Sequence, residues 1–429
     1  MKSFESKLSA RWICLTVFLL CHTDAALTWA SDEVPGRVQS KPFALTNGVI
    51  HPVSGPAVEQ GTLVFEGGKI TAVGKNVRIP NGAEVTNLNG LHVYPSLIEA
   101  HSHIGLKEIS AVRASVDVAE VGSLNPNVRA NVSFNPDSEV VPVTRANGVL
   151  VAVSAPSGGR VSGQASVMQL DGWTYEDMTL QASVGMMVNW PSAPSSGESP
   201  GLKELRRLFD DARAYRAARL ANANAQAFDI RLDAMLPVLN AEIPVIAEAN
   251  EAREIQAAVA FSVEQNVRLI IFGGHDAEYC AALLKKHGVP VIIDSVYRVP
   301  MRRHEAYDAA YTLPERLRRA GVPFCISGSR RESTWNARNL PYHAARAVAY
   351  GLSHDDGIRA VTLFPAQILG VDDRVGSLEV GKDATFFVSD GDPLVTETKV
   401  LHAFVQGRKV QLTSRHTRLY EKYQQKYAP

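Results

Sequence analysis

Two kinds of hydrophobic pattern divide the chain. Over about residues 41–92, apolar and polar residues alternate in FALTNGVIHPVSG, GTLVFEGGKITAVG and AEVTNLNGLHVYPSLI. Alternation with period two sets one face of a strand against a core and the other in water. Asn-Gly and Gly-Gly pairs punctuate these runs, as tight hairpins require. A small antiparallel sheet is predicted. The same pattern returns late in the chain, in GSLEVGKDATFFVSDGDPL and KVLHAFVQGRKVQL.

The middle of the chain reads differently. GVLVAVSA (148–155), IPVIAEA (243–249), VRLIIFGG (267–274), VPVIIDS (289–295) and VPFCISGS (322–329) are strand-length and apolar without alternation. Strands covered on both faces have this character. Between them lie helical stripes. LKELRRLFDDARAYRAARL (202–220) aligns Leu205, Leu208, Ala212 and Tyr215, and REIQAAVAFSVEQ and EYCAALLKKHG are amphipathic. Parallel strands with helical crossovers follow, and residues 93–370 have room for eight βα units. The predicted fold class is therefore α/β. A (β/α)8 TIM-like barrel over 93–370 stands beside a small β-sandwich domain, which segments 31–92 and 371–412 form together, and residues 413–429 are a tail or frayed helix. NWPSAPSSGESPG (189–201) is predicted to be a loop.

The first thirty residues stand outside this scheme. Lys2, Lys7 and Arg11 precede an apolar run from Trp12 to Cys21, and small residues follow from Ala25 to Ala30. That order is the signal-peptide pattern. Cleavage after Ala30 fits best, with Ala25 and Ala26 as alternatives. A lipid anchor at Cys21 is disfavoured by the bulky Leu20 before it. Export to a periplasmic or extracellular location is expected. The apolar run is too short to span a bilayer comfortably, and no later stretch is long enough either, so no membrane span is predicted after cleavage. N-terminal sequencing of the exported protein is expected to begin at Ser31; a retained Met1 would overturn the signal-peptide assignment.

Composition narrows the partners. The 429 residues are 45% hydrophobic and 21% charged, with formal net charge zero. A neutral chain is a poor non-specific binder of nucleic acid, so no nucleic-acid partner is expected. Cys280 and Cys325 are the two cysteines beyond the leader. One lies in a helical pattern and one in a strand-like run. Two buried thiols are predicted rather than a disulfide.

Candidate chemistry begins at PSLIEAHSHIGL, residues 95–106. His101 and His103 end an apolar strand, and alternate residues of an extended segment face one side. Both imidazoles can then meet one cation of the zinc, iron, nickel or manganese type. Two incidental imidazoles in a turn are the bland alternative. The segment resembles the first-strand signature of the amidohydrolase superfamily, PG-(apolar)-(apolar)-D-x-H-x-H, with Ser96 for Gly and Glu99 for Asp. The opening NGVIHPVSGPAVEQGTLVFEGGKITAVG and the closing TLFPAQILGVDDRVGSLEVGKDATFFVSDGDPL (362–394) are similar to the family's terminal β segments. TRANGVLVAVSAPSGGRVSGQASVMQL and RNLPYHAARAVAYGL resemble the imidazolonepropionase-like branch. The resemblance covers nearly the whole mature chain. It implies a barrel flanked by a β-sandwich, and hydrolysis of a C–N bond in a small-molecule or peptide-like substrate. It also implies a divalent metal ion, zinc first, whose bound water is the nucleophile.

The family pattern also places histidines at the ends of strands five and six and an aspartate after strand eight. This chain has Glu248 at the first position, Gly273 at the second with His275 two residues on, and Ser329 or Gly328 at the third. A metal centre needs three or four protein ligands and an open position. His101, His103 and Glu248 are the set the sequence offers. The alternative is a degenerate barrel that binds a ligand or partners an active paralogue. For Glu248 itself, an ion pair with a nearby arginine is equally open. Asp294 and Glu332 are the carboxylates near the vacated aspartate position, and neither matches the motif. Arg160, Arg298, Arg302, Arg303, Arg330 and Arg331 form either an anion-binding rim or solvated loop charge. Arg338, Asn339 and Tyr342 either organise the last βα loop or cap its helix. Association into an oligomer is left open.

Overall fold

The computed structural model describes residues 33–192, 197, 199–222, 227–328 and 334–427. The predicted leader, its cleavage site and Cys21 lie outside these residues, as do Ser329, Arg330, Arg331 and Glu332.

Alternating segments from both ends of the chain make one eight-stranded sheet. From the N-terminal side come β1 (Phe43–Ile50), β2 (Val58–Glu66), β3 (Lys69–Gly74), β4 (Glu84–Asn87) and β5 (His92–Pro95). A second set of strands then forms the barrel: β6 (Leu97–Ser102), β7 (Val149–Ser154), β8 (Val161–Gln169), β9 (Thr179–Asn189), β10 (Val245–Ala249), β11 (Leu269–Gly273), β12 (Val291–Asp294) and β13 (Phe324–Ser327). The chain returns to the first sheet with β14 (Phe386–Ser389), β15 (Val400–Val405) and β16 (Arg408–Val410). That sheet has the order β16-β15-β14-β5-β1-β2-β3, with β4 also paired to β1. The antiparallel β14–β5 pair joins the two ends, as the patterning predicts. Phe65 packs edge-on against Phe386 and Phe404 in its core. Gly67 and Gly68, at φ 57° and 79°, turn the β2–β3 hairpin. Asn47-Gly48 makes no turn. It sits at a register shift within β1, where a Cβ on Gly48 would lie 2.6 Å from Leu88 Cδ1.

The barrel order is β13-β12-β11-β10-β9-β8-β7-β6. Seven staves run one way. β8 runs antiparallel to both β7 and β9, so a tight turn takes the place of a helical crossover after β7. Gly158 and Gly159, at φ 90° and 61°, make that turn. All nine β8 residues are buried. Ile98, Val151, Val167, Ile246, Ile270, Ile292 and Cys325 fill the interior. The outer layer includes the helix Pro200–Ala221, which buries Leu205, Leu208, Phe209, Ala212 and Tyr215, the predicted stripe and one residue more. Cys280 and Cys325 are buried free thiols.

The ring is nearly closed. Among the described residues no backbone ladder joins β6 to β13. Instead Ile98 N–H donates to Val361 O at 2.8 Å and Ile326 N–H donates to Ala360 O at 3.0 Å. Residues 360–361 thus wedge the lower seam. The upper seam is closed by side chains described below. The last described segment is a helix, Arg415–Tyr427. No helix among the described residues is long and apolar enough to cross a membrane.

Candidate active site

The mouth is built from the base of β6 upward. Ser96 Oγ donates to Leu97 O at 2.6 Å and accepts from Leu150 N–H at 3.1 Å, tying β6 to the start of β7. Higher up, Ser102 Oγ donates to Val153 O at 2.7 Å, and Ser154 Oγ donates to Ile104 O at 2.7 Å. These stitches hold the strand end that carries the two histidines. Both imidazoles are buried, 3% exposed each, with ring centroids 5.8 Å apart. His103 Nδ1 lies 2.8 Å from Ala155 O. A carbonyl can only accept, so Nδ1 carries a proton, which in the neutral ring leaves the lone pair on Nε2.

His101 is held differently. Its ring stacks on Phe272, centroids 3.7 Å apart and planes 17° off parallel. Its backbone N–H donates to Glu99 Oε1 at 3.3 Å. Glu99 is fully buried and is the hub of the upper seam. It bonds to Ser327 Oγ and accepts from Gly328 N–H at 2.9 Å. Ser327 Oγ also lies 3.1 Å from His101 O. Burial pushes the Glu99 carboxyl up to about 7, against the opposing pull of those donors, and the charge of Asp294 pushes the same way as burial. In its protonated form Glu99 donates to Ser327, whose own proton is then available to His101 O. Ionisation reverses the first bond and takes the hydroxyl proton away from His101 O.

Among the described residues, the other predicted positions form no metal-holding group with the histidines. Glu248 is half-buried on β10, in register with Asn189 on one side and Phe272 on the other. Among the described residues no three His, Cys, Asp or Glu side chains form a group able to hold a metal ion. Glu248 therefore does not complete a three-donor set with His101 and His103. Gly273 stands at the end of β11 with φ 97°, a conformation that disfavours any side chain, and a Cβ there would lie 2.3 Å from Asn250 Oδ1. A histidine at this position would need both the backbone and Asn250 to move. On β13 the described candidate for the family's aspartate is Gly328. A Cβ on it would sit 3.1 Å from the Cα of Leu340. The described residues at these positions do not fit the metal centre that the resemblance implies: Gly273 and Gly328 carry no donor, and Glu248 forms no three-donor group with His101 and His103.

The arginines resolve one by one. Arg298 is buried and pairs with Glu305 at 3.4 Å. Arg302 grips both Asp276 oxygens at 2.8 Å and Glu305 at 3.1 Å. Arg160 donates to Asn189 O. Arg298 and Arg302 are thus neutralised by carboxylates of this chain, neither an open anion rim nor solvated loop charge. Arg303 is exposed. Asn339 occupies the N-cap position of the helix Leu340–Ala349 without a side-chain cap bond, so capping does not account for it. Arg338 lies 3.2 Å from His416 Nδ1.

The fold defines a class, and comparison with known proteins agrees. Residues 245–413 match the Amidohydrolase family model. A solved amidohydrolase from Thermotoga maritima superposes with TM-score 0.77 at 25% identity, over 86% of this chain and 99% of that one. The chain thus carries an amidohydrolase family match over its second half and shares its fold with a solved amidohydrolase. Among curated proteins, the amidohydrolase tasK of Hapsidospora irregularis is 23% identical over 89% of this chain and 42% of its own length. An imidazolonepropionase of Syntrophobacter fumaroxidans is 35% identical over 82 residues, 19% of each chain. This chain thus spans less than half the length of the curated relatives it matches.

Two mouth residues carry roles that the sequence concealed. Glu99 reads as a substituted signature carboxylate, yet it closes the barrel onto a partner 228 positions away. Phe272 reads as one more apolar residue of a buried strand. Its parity with Ile270 was the available signal that it faces the interior.

Proposed function

We propose that this chain is an exported barrel that binds a small or peptide-like ligand at its mouth and does not itself hydrolyse it. In this reading it works beside a hydrolytically complete unit of the same superfamily. The observation that carries it is the strand-six end, where Phe272 lies against His101 and Gly273 cannot present a donor. Supporting it, more than half the length of tasK lies outside the match to this chain, room for a further unit of comparable size.

A second reading has its own support. His103 bonds through Nδ1 to a backbone carbonyl, the usual way a ligating imidazole is oriented. With His101, and with Glu248 swung inward, it would hold one divalent ion, zinc first, and the chain would be a single-metal hydrolase of C–N bonds. The ion would supply the activated water; the chain's part would be to orient it.

Elemental mass spectrometry of the mature, untagged protein separates the two. Far less than one transition metal per chain is expected, with no difference from the His101→Ala/His103→Ala variant. Close to one metal per chain, lost in the variant, would replace the first reading by the second.

A further inference from the structure

We propose that the chain binds its ligand off the barrel axis, in a side cavity between the ends of β12 and β13 and the helix Leu340–Ala349, and that the group recognised there is an uncharged amide. This rests on the reading of the mouth as a binding site rather than a loaded metal site. On the axis, Phe272 and His101 are stacked and Glu99 is sealed beneath Gly328. Beside it a cavity of about 470 Å³ opens. That lies within the usual range for small-molecule sites.

The walls are Asn336, Asn339, Tyr297, Tyr342 and His343. Among the described residues, no lining side chain is acidic or is a lysine or arginine. The described walls offer a charged ligand group no fixed counter-charge for its lost hydration, which favours a neutral group here. Each asparagine offers a donor and an acceptor side by side, the pattern that pairs with another amide. Asn339 is not engaged in capping its helix, so its amide is available. Tyr297 and Tyr342 supply flat apolar cover for the rest of such a ligand.

The cavity is also held in shape before anything enters. Ser295 is fixed in the left-handed region at φ 65°, rare for a residue with a side chain. Its N–H lies 3.1 Å from both Ile293 O and Ser327 O, and its Oγ accepts from Tyr297 N–H at 3.1 Å. Tyr297 OH donates to Tyr342 O at 3.1 Å, and its ring meets His343 edge-on at 4.7 Å. Arg346 sits over the Tyr297 ring, 5.3 Å from its centroid. Gly328 completes the floor. A side chain there would press on Leu340 and come within 3.2 Å of His343 Cδ2. The absence of a side chain at Gly328 is thus part of what keeps the cavity open.

Calorimetric titration of the mature chain tests this with two probes of similar size. N-acetylglycylglycinamide is uncharged; glycylglycine is a zwitterion. The blocked peptide is expected to bind at least about tenfold more tightly than the zwitterion. Asn336→Ala/Asn339→Ala is expected to weaken it by about tenfold or more, as lost hydrogen bonds do, with the thermal midpoint unchanged. Asn339→Asp, equal in size but charged, should weaken it as well and guards against a folding defect in the double variant. Three results would overturn the assignment: no binding of the blocked peptide at millimolar concentration, equal affinity in all variants, or preference for the zwitterion. Chromatography of the recovered probe reports separately. Cleavage would sink the non-hydrolytic reading while binding lost in the variants would still place the site.

Discussion

Asp171→Ala is expected to destabilise the protein by about 3–5 kcal/mol, the usual effect of stranding buried charge. Asp171 is 2% exposed, just past the end of β8. Its carboxylate accepts from Arg408 Nε at 2.9 Å and lies 3.8 Å from Arg145 Nη1. Gly36 N–H donates to it at 3.2 Å. One side chain therefore fastens a barrel stave to the helix Val140–Arg145, to β16 of the other sheet and to the N-terminal strand approach. Arg145 is 3% exposed and would lose this carboxylate while still donating to the carbonyls of Gln411 and Leu170. Urea unfolding measures the loss. Arg408→Ala is the control and should cost less, because Arg408 is partly exposed and its removal leaves Asp171 with Arg145 and Gly36. Equal small effects for both would show that the triad is not a joint between the two sheets.

Glu99→Gln is expected to change how stability depends on pH. Glu99 titrates near 7 when folded, against 4.5 as a free side chain, so the folded state holds a proton that the unfolded state has released. Its contribution is complete below pH 4.5 and is lost as pH rises through 7. A difference of this size corresponds to about 3 kcal/mol. Glutamine imitates the protonated acid at every pH, donating to Ser327 and accepting from Gly328. Relative to the wild type, the variant should therefore gain about 3 kcal/mol between pH 4.5 and 8. His51 produces the opposite slope. Burial first, then the neighbouring His92 at 3.0 Å, lowers it from 6.5 to about 4, so its contribution is lost as pH falls through that interval. The two slopes overlap and oppose between 4.5 and 6.5. Wild-type stability should look nearly flat there, and the variant should show the rise with pH that His51 imposes. Urea midpoints at pH 5 and pH 8 decide it. A wild type and variant that run parallel across that range would mean Glu99 is already ionised in the folded protein.

Where periodicity carried the information, the fold was legible. The stripe Leu205, Leu208, Ala212 and Tyr215 is buried as read, and the non-alternating apolar runs are barrel staves. β8 was not legible because a stave buried on both faces has no alternation and this one contains glycine and polar residues. Gly158-Gly159 was the cue to its reversal. In the site, His101 and His103 were visible because their partnership is local. Glu99 was not, because its meaning lies in Ser327 and Gly328, and spacing cannot show a contact across the closing seam. Arg298 and Arg302 looked like open charge for the same reason: Arg302's bidentate partner, Asp276, belongs to the preceding βα loop.

The reversed stave also bears on how the chain reaches this fold. β7, β8 and β9 pair with their immediate sequence neighbours through short connections, so their contacts close small loops at little entropic expense. The seam between β6 and β13 is the opposite case, since its Glu99–Ser327 bond joins residues 228 apart. Folding can therefore begin in the meander and must finish at the seam, where a wedge of two residues and one titratable carboxyl stand in for a ladder. In hydrogen-exchange terms, the meander belongs with the slowest amides and the seam with the sub-global openings that precede complete unfolding.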